Sequence, residues 1–112
     1  EEGNYKMATG RLGTADLTAA TNTTLYTVPA DTFAVVTVSL CNRASGTRSV
    51  RVAVCDTSTP GNDEYIEYDA SILANGVLER TGIVMDAAKL LVVRADSTDV
   101  TAVVMGIETS TA

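Results

Sequence analysis

The chain has 112 residues, of which 46% are hydrophobic, 20% charged and 4% aromatic, and it contains neither histidine nor tryptophan. This length fits one domain with a filled core, which leaves little room for a deep ligand cavity. The absence of histidine excludes Ser-His and Cys-His catalysis and His-ligated zinc. With 8 basic and 14 acidic residues the formal net charge is -6, which argues against a nucleic-acid partner. No apolar run approaches the roughly 20 residues that cross a bilayer, so no membrane partner is expected either.

The first twenty residues show neither the two-residue period of a strand nor the 3.6-residue period of a helix. We therefore predict that residues 1–20 form an extended N-terminal arm held by other subunits, and that residues 21–112 form the folded domain. Leu12 and Leu17 are the sizeable apolar side chains of this arm. With Arg11 they are its candidate subunit contacts.

From Thr24 onward, runs rich in valine and threonine alternate with turn residues about every ten positions, which is typical of short β-strands. The predicted strands are Thr24–Val28, Phe33–Asn42, Ser49–Cys55, Tyr65–Ala70, Val77–Thr81, Ile83–Met85, Lys89–Ala95 and Val100–Ile107. No segment has a convincing helical period. The pattern predicts an all-β fold, a single antiparallel two-sheet β-sandwich with a jelly roll as the candidate topology.

The alternation within these strands also predicts which side chains face the core. Along the second strand these are Ala34, Val36, Val38 and Leu40. The apolar residues on both faces of Lys89–Ala95 indicate a central strand that is covered on both sides. Gly82 interrupts a β-forming segment and indicates a bulge or bend.

The turn residues between Phe33–Asn42 and Ser49–Cys55 predict that these two strands form a hairpin. In that hairpin Cys41 and Cys55 would lie on the order of 20 Å apart, far beyond disulfide reach. We therefore expect two free thiols.

Several polar side chains within the strands are candidates for intermolecular contact. Glu79, Arg80 and Arg94 could either protect a sheet edge from aggregation or form ion pairs between subunits. Glu79 and Arg80 complete the set of candidate subunit contacts. Tyr65 and Tyr68 could contact a saccharide or a protein, although tyrosines with a satisfied hydroxyl are more common.

The acidic residues between Asp56 and Asp69 do not have the ligand spacing of a calcium-binding loop. Solvated loop and strand charges are the simpler interpretation. We expect no catalytic residues, no metal and no cofactor, and hence no enzyme.

Six segments of the chain together resemble the small virion structural proteins of tailed bacteriophages. They are M-A-T-G-R-L-G-T-A-D-L, T-N-T-T-L-Y-T-V-P-A, V-S-L-C-N-R, E-Y-I-E-Y-D, A-N-G-V-L-E-R-T-G and V-V-M-G-I-E. The resemblance extends from Met7 to Glu108. Residues 1–6 lie outside it and are interpreted either as a tag or as the product of an upstream translation start.

This resemblance implies a β-sandwich that assembles by contact in the virion, after synthesis in the host cytoplasm. The leading role is capsid decoration or cementing; the alternative is a tail, neck or fibre component that binds a receptor or glycan. The implied partners are other virion proteins, first the major capsid protein, and further copies of the chain.

Overall fold

Eight β-strands and no helix make up the regular structure of the computed structural model, which describes residues 7–112. Their bounds are β1 (Thr9–Asp16), β2 (Thr23–Thr27), β3 (Thr32–Asn42), β4 (Arg48–Cys55), β5 (Tyr65–Ile72), β6 (Val77–Met85), β7 (Leu90–Ala95) and β8 (Val100–Ser110). The interpretation of residues 1–6 falls outside the described part of the chain.

The strands form two four-stranded antiparallel sheets that pack face to face. The first sheet has the order β1-β8-β3-β6 and the second the order β2-β7-β4-β5. Most connections pass from one sheet to the other, which is the double Greek-key connectivity of a jelly roll. The predicted all-β sandwich is confirmed.

The predicted hairpin of the second and third strands is wrong. Strand β3 pairs with β6 and β8 in the first sheet, whereas β4 pairs with β5 and β7 in the second. The segment between β3 and β4 therefore crosses between the sheets. Alternation of apolar residues indicates which face of a strand is buried, but it does not indicate which strand lies beside it. Two strands in opposite sheets that face each other across the core show the same alternation as two paired strands.

The core lies between the sheets and consists mainly of valine, leucine and alanine. The four predicted core residues of β3 are at most 1% exposed. From the second sheet, Val50, Val52, Leu91 and Val93 face them and are equally buried. Branched side chains of this kind suit a pleated surface, and each fully buried valine or leucine stabilises the fold by roughly 1.5–3 kcal/mol.

Strand β7 is covered on both faces, as predicted. Leu91 and Val93 point into the main core, while Val92 points the other way into a small second cluster with Ala53 and Cys55. On β6, Gly82 has a φ of 67° where the pairing with β3 shifts register. The bulge predicted at this glycine is also confirmed.

The N-terminal arm predicted for residues 1–20 is wrong from residue 9 onward. Strand β1 pairs with β8 along its length, and Leu17 is buried in the main core. The pairing contains a bulge at Leu12, between Arg11 and Gly13, because the register shifts there by one residue. This extra residue breaks the two-residue period, so the strand could not be recognised from alternation.

Candidate interaction surfaces

The outer side of the first sheet is unusually apolar at its centre. The outward side chains of its two central strands are Phe33, Val35, Thr37, Ser39 and Cys41 on β3, and Thr101, Val103, Met105, Ile107 and Thr109 on β8. None of them is charged. Exposed sheet faces normally alternate apolar core residues with polar outward residues, so this surface departs from the expected pattern.

Five large hydrophobic side chains lie exposed on this outer side, and we call them the apolar face. They are Phe33 (37% exposed), Val35 (40%), Val77 (61%), Val84 (69%) and Ile107 (56%). Among residues 7–112 the exposed large hydrophobic side chains also include Tyr68 and Leu73, which lie elsewhere.

The strand register brings the apolar face together from distant parts of the sequence. Val35 lies opposite Ile107 on one neighbouring strand and opposite Val84 on the other. The three side chains therefore form a row across β8, β3 and β6. Contiguous apolar patches of this kind mark surfaces that bind another macromolecule.

Charged residues border this outer side on its two edge strands. Arg11 on β1 lies opposite Met105, and Glu79 on β6 lies opposite Ser39. Both are exposed, and neither has an ion-pair partner among the described residues. Asp16, also on β1, is bound to the Arg43 guanidinium, with Nη2 and Oδ1 2.6 Å apart.

The predicted subunit contacts thus divide into three groups. Arg11 and Glu79 lie on the two edge strands of the same outer side as the apolar face, with Glu79 between Val77 and Val84 on β6, and both are available to a partner. Leu17, just after β1, is buried in the chain's own core, so the expectation that it contacts another subunit is wrong. Leu12 is half-buried and packs against the same core, and its contact with another subunit stays a prediction.

Arg80, the remaining predicted contact, has an intramolecular partner. Its Nη1 lies 3.0 Å from Oε2 of Glu67 on β5. Strands β5 and β6 are edge strands of opposite sheets, so this ion pair joins the two sheets along one side of the sandwich.

The outer side of the second sheet carries the two tyrosines singled out in the sequence. The rings of Tyr65 and Tyr68 make a T-shaped contact with centroids 4.9 Å apart, and the Arg51 guanidinium lies 4.2 Å from the centre of the Tyr68 ring. Arg51 also donates to both oxygens of Asp69, at 2.6 and 3.3 Å. The hydrogen bond from Arg51 holds the pKa of the Asp69 carboxyl below its usual range. These four side chains therefore form one connected cluster on the surface of the chain.

The acidic loop between β4 and β5 is organised by one of its own carboxylates. Glu64 accepts hydrogen bonds from the backbone N–H groups of Gly61 (2.7 Å) and Asp56 (3.0 Å). No cluster of three or more Cys, Asp or Glu side chains within residues 7–112 is placed to hold a metal ion. The same part of the chain has no helix that could cross a membrane.

The two cysteines lie on different sheets and in different environments. Cys41 is exposed on the outer side of the first sheet, whereas Cys55 is buried beneath the acidic loop and Tyr65. Burial, followed by the nearby carboxylates of Glu64 and Asp56, raises the pKa of the Cys55 thiol to about 11. A thiol in that state is a poor nucleophile at neutral pH.

Comparison with known proteins adds no family to this description. No protein-family model matches the chain, and no curated protein matches its sequence. The indications of function are therefore the surfaces of the sandwich and the sequence resemblance.

Proposed function

We propose that the protein is a non-enzymatic structural component of a tailed-phage virion, which binds neighbouring subunits and stabilises the particle as a capsid decoration or cement protein. The observation that carries the proposal is the apolar face. A monomer in water gains nothing from exposing five large hydrophobic side chains on one side of a sheet, whereas an assembled particle covers them.

The whole outer side of the first sheet, on which the apolar face lies, has a size that suits a protein acting in many copies. Four strands spaced by about 4.8 Å and about nine residues long give a sheet face on the order of 600 Å². An interface of that size lies near the lower limit for a specific complex. Repetition over a particle surface multiplies such modest contacts through avidity.

The net charge of -6 supports a position away from the packaged genome. We propose that the chain resides in the virion, with the major capsid protein as its first partner and further copies of itself as the second. Two free thiols are compatible with assembly in the reducing host cytoplasm.

The alternative role, a tail, neck or fibre component that binds a receptor or glycan, has less support. Sugar recognition uses an exposed aromatic ring face, and the Arg51 guanidinium covers one face of the Tyr68 ring. The remaining contacts of this cluster are internal to the chain. We therefore retain decoration as the proposed role and treat the alternative as an outcome of the test.

The test uses particles that lack this protein and purified chain added back to them. Ile107→Lys places a charge in the row that Ile107, Val35 and Val84 form on the apolar face, and it should abolish both binding to the particles and their protection against thermal rupture. Leu73→Lys is the matched control, because Leu73 is exposed in the turn after β5 and lies off this face. Circular dichroism establishes that both variants are folded.

Two results would overturn the proposal. If Ile107→Lys binds and protects particles as well as the unmodified chain, the apolar face is not the assembly surface. If particles without the protein rupture at the normal temperature but no longer adsorb to cells, the receptor-binding alternative is correct.

A further inference from the structure

We infer that a second copy of this chain covers the apolar face, packed sheet to sheet about a two-fold axis parallel to the strands. The inference rests on the proposed function, since it assumes that the apolar face is an assembly surface. It adds which partner occupies that face and in which orientation.

The orientation follows from the two border charges. Arg11 lies on the β1 edge of the first sheet, in register with Met105 and Thr37 on the two central strands. Glu79 lies on the opposite, β6 edge, in register with Ser39. The two charges are thus separated by the full width of the sheet but by only two residues along the strands, or about 7 Å.

A two-fold axis parallel to the strands places the β1 edge of one copy over the β6 edge of the other. Arg11 of each copy then faces Glu79 of its partner, and the 7 Å offset is short enough for these two long side chains to span. The same operation stacks β3 of one copy against β8 of the other, so the uncharged centres meet. Two ion pairs close the rim of an apolar interface, which is the arrangement that favours specific association.

A two-fold axis across the strands is disfavoured by the same charges. It would place each β1 edge over the other β1 edge, where Arg11 would meet only an Asp16 that Arg43 already binds. Glu79 would face the partner's β6 edge, whose other outward side chains include Val77 and Val84 and no cation. Only the parallel axis gives both border charges a partner.

The area is sufficient for a concentration-dependent dimer. Two faces on the order of 600 Å² each bury about 1,200 Å² in total, the lower end of the range for specific interfaces. Association should therefore be reversible and measurable by sedimentation equilibrium of the whole chain over a range of concentrations.

The experiment is a charge exchange. R11E and E79R should each weaken dimerisation by about tenfold, because each substitution breaks two ion pairs and sets like charges against each other. The double variant R11E/E79R restores both pairs in reversed polarity and should recover the affinity of the unmodified chain. Asp63→Arg makes the same charge change as E79R in the exposed loop before β5 and should leave dimerisation unchanged. R11Q and E79Q, which only remove charge, provide a second pair should either reversal fail to fold.

A wild-type chain that stays monomeric at every concentration would overturn the inference. So would a double variant R11E/E79R in which the losses of dimer affinity of the two single variants add instead of cancelling. These failures are distinct from failure of the proposed function. If the chain is monomeric but Ile107→Lys no longer binds particles, the apolar face serves a different virion protein. If R11E/E79R rescues a dimer but Ile107→Lys still binds particles, the self-association stands and the assembly role falls.

Discussion

Asn42, at the end of β3, is fully buried and joins two loops to the core. Its amide nitrogen donates to the backbone carbonyls of Gly46 (2.9 Å), Ile72 (3.0 Å) and Leu73 (3.2 Å). Its Oδ1 accepts from the backbone N–H of Ala44 at 2.9 Å. One side chain thereby connects the β3–β4 crossing to the turn between β5 and β6.

The substitution Asn42→Asp preserves the shape of this side chain but removes both of its donor hydrogens. Three carbonyl oxygens would then face a carboxylate that cannot bond to them. A buried acceptor left without a donor costs about 1–3 kcal/mol, so the loss of two hydrogens together with charge repulsion should lower the free energy of unfolding by about 4 kcal/mol at pH 7. For a domain of this size the melting temperature should fall by roughly 15–25 °C.

The loss should also depend on pH. Burial and the opposing carbonyl dipoles disfavour the charged form, so the introduced carboxyl keeps its proton to a higher pH in the folded state than in the unfolded state. When the pKa of a carboxyl is higher in the folded state than in the unfolded state, the protonated group contributes to the free energy of unfolding. That contribution is complete below the unfolded-state pKa of about 3.9 and is lost as pH rises through the folded-state pKa. The gap to the unmodified protein should therefore narrow as pH falls from 7 to 4.

Urea unfolding followed by circular dichroism at pH 7 and pH 4 measures both effects. Asn22→Asp is the matched control, because Asn22 is exposed in the segment before β2 and undergoes the same charge change. It should shift the free energy of unfolding by less than about 0.5 kcal/mol. A loss below about 1 kcal/mol for Asn42→Asp, or an equal loss at both pH values, would refute the argument from hydrogen bonding.

Three further predictions concern the rest of the fold. Gly106→Ala should destabilise the domain by about 3 kcal/mol or more in urea unfolding, because the added Cβ would lie 2.2 Å from a backbone carbonyl oxygen of β3. Gly46→Ala is the control and should change stability little, because no atom lies closer than 3.7 Å to its added Cβ. A thiol reagent at pH 7.5 should modify Cys41 rapidly and Cys55 only after denaturation; rapid labelling of both would contradict the burial of Cys55. Deletion of residues 1–20 removes an edge strand and a core leucine, so a truncated chain with an unchanged cooperative melt would show that β1 is dispensable.

The sequence was most informative where a strand is long and regular. The alternation of apolar residues along β3 identified Val36 and Val38 as core residues, because this strand has one buried face. It could not identify the partners of that strand, since partners are fixed by contacts between residues far apart in the chain. This is why a jelly-roll crossing was predicted as a hairpin.

The same limit hid the apolar face. Alternation along β3 places Val35 on its outward side, but nothing in the neighbouring sequence indicates that Ile107 and Val84 lie beside it. Asn42 was missed for a related reason, because an asparagine at a strand end is usually a turn residue. Only the fold shows that it is buried among the carbonyl groups of two loops.

The two outer sides of the sandwich suggest how an acidic protein can associate with itself. A net charge of -6 makes random encounters between copies repulsive, and like charges suppress the wrong contacts. On the second sheet, the like charges of Arg51 and Arg94 lie directly opposite each other, and Asp69, which binds Arg51, offsets one of them. The two central strands of the first sheet have no outward charge to repel a second copy, and Arg11 and Glu79, on its opposite edge strands, have no ion-pair partner among the described residues. We therefore expect the proposed self-association to use this face, because the outward side chains of its two central strands carry no charge.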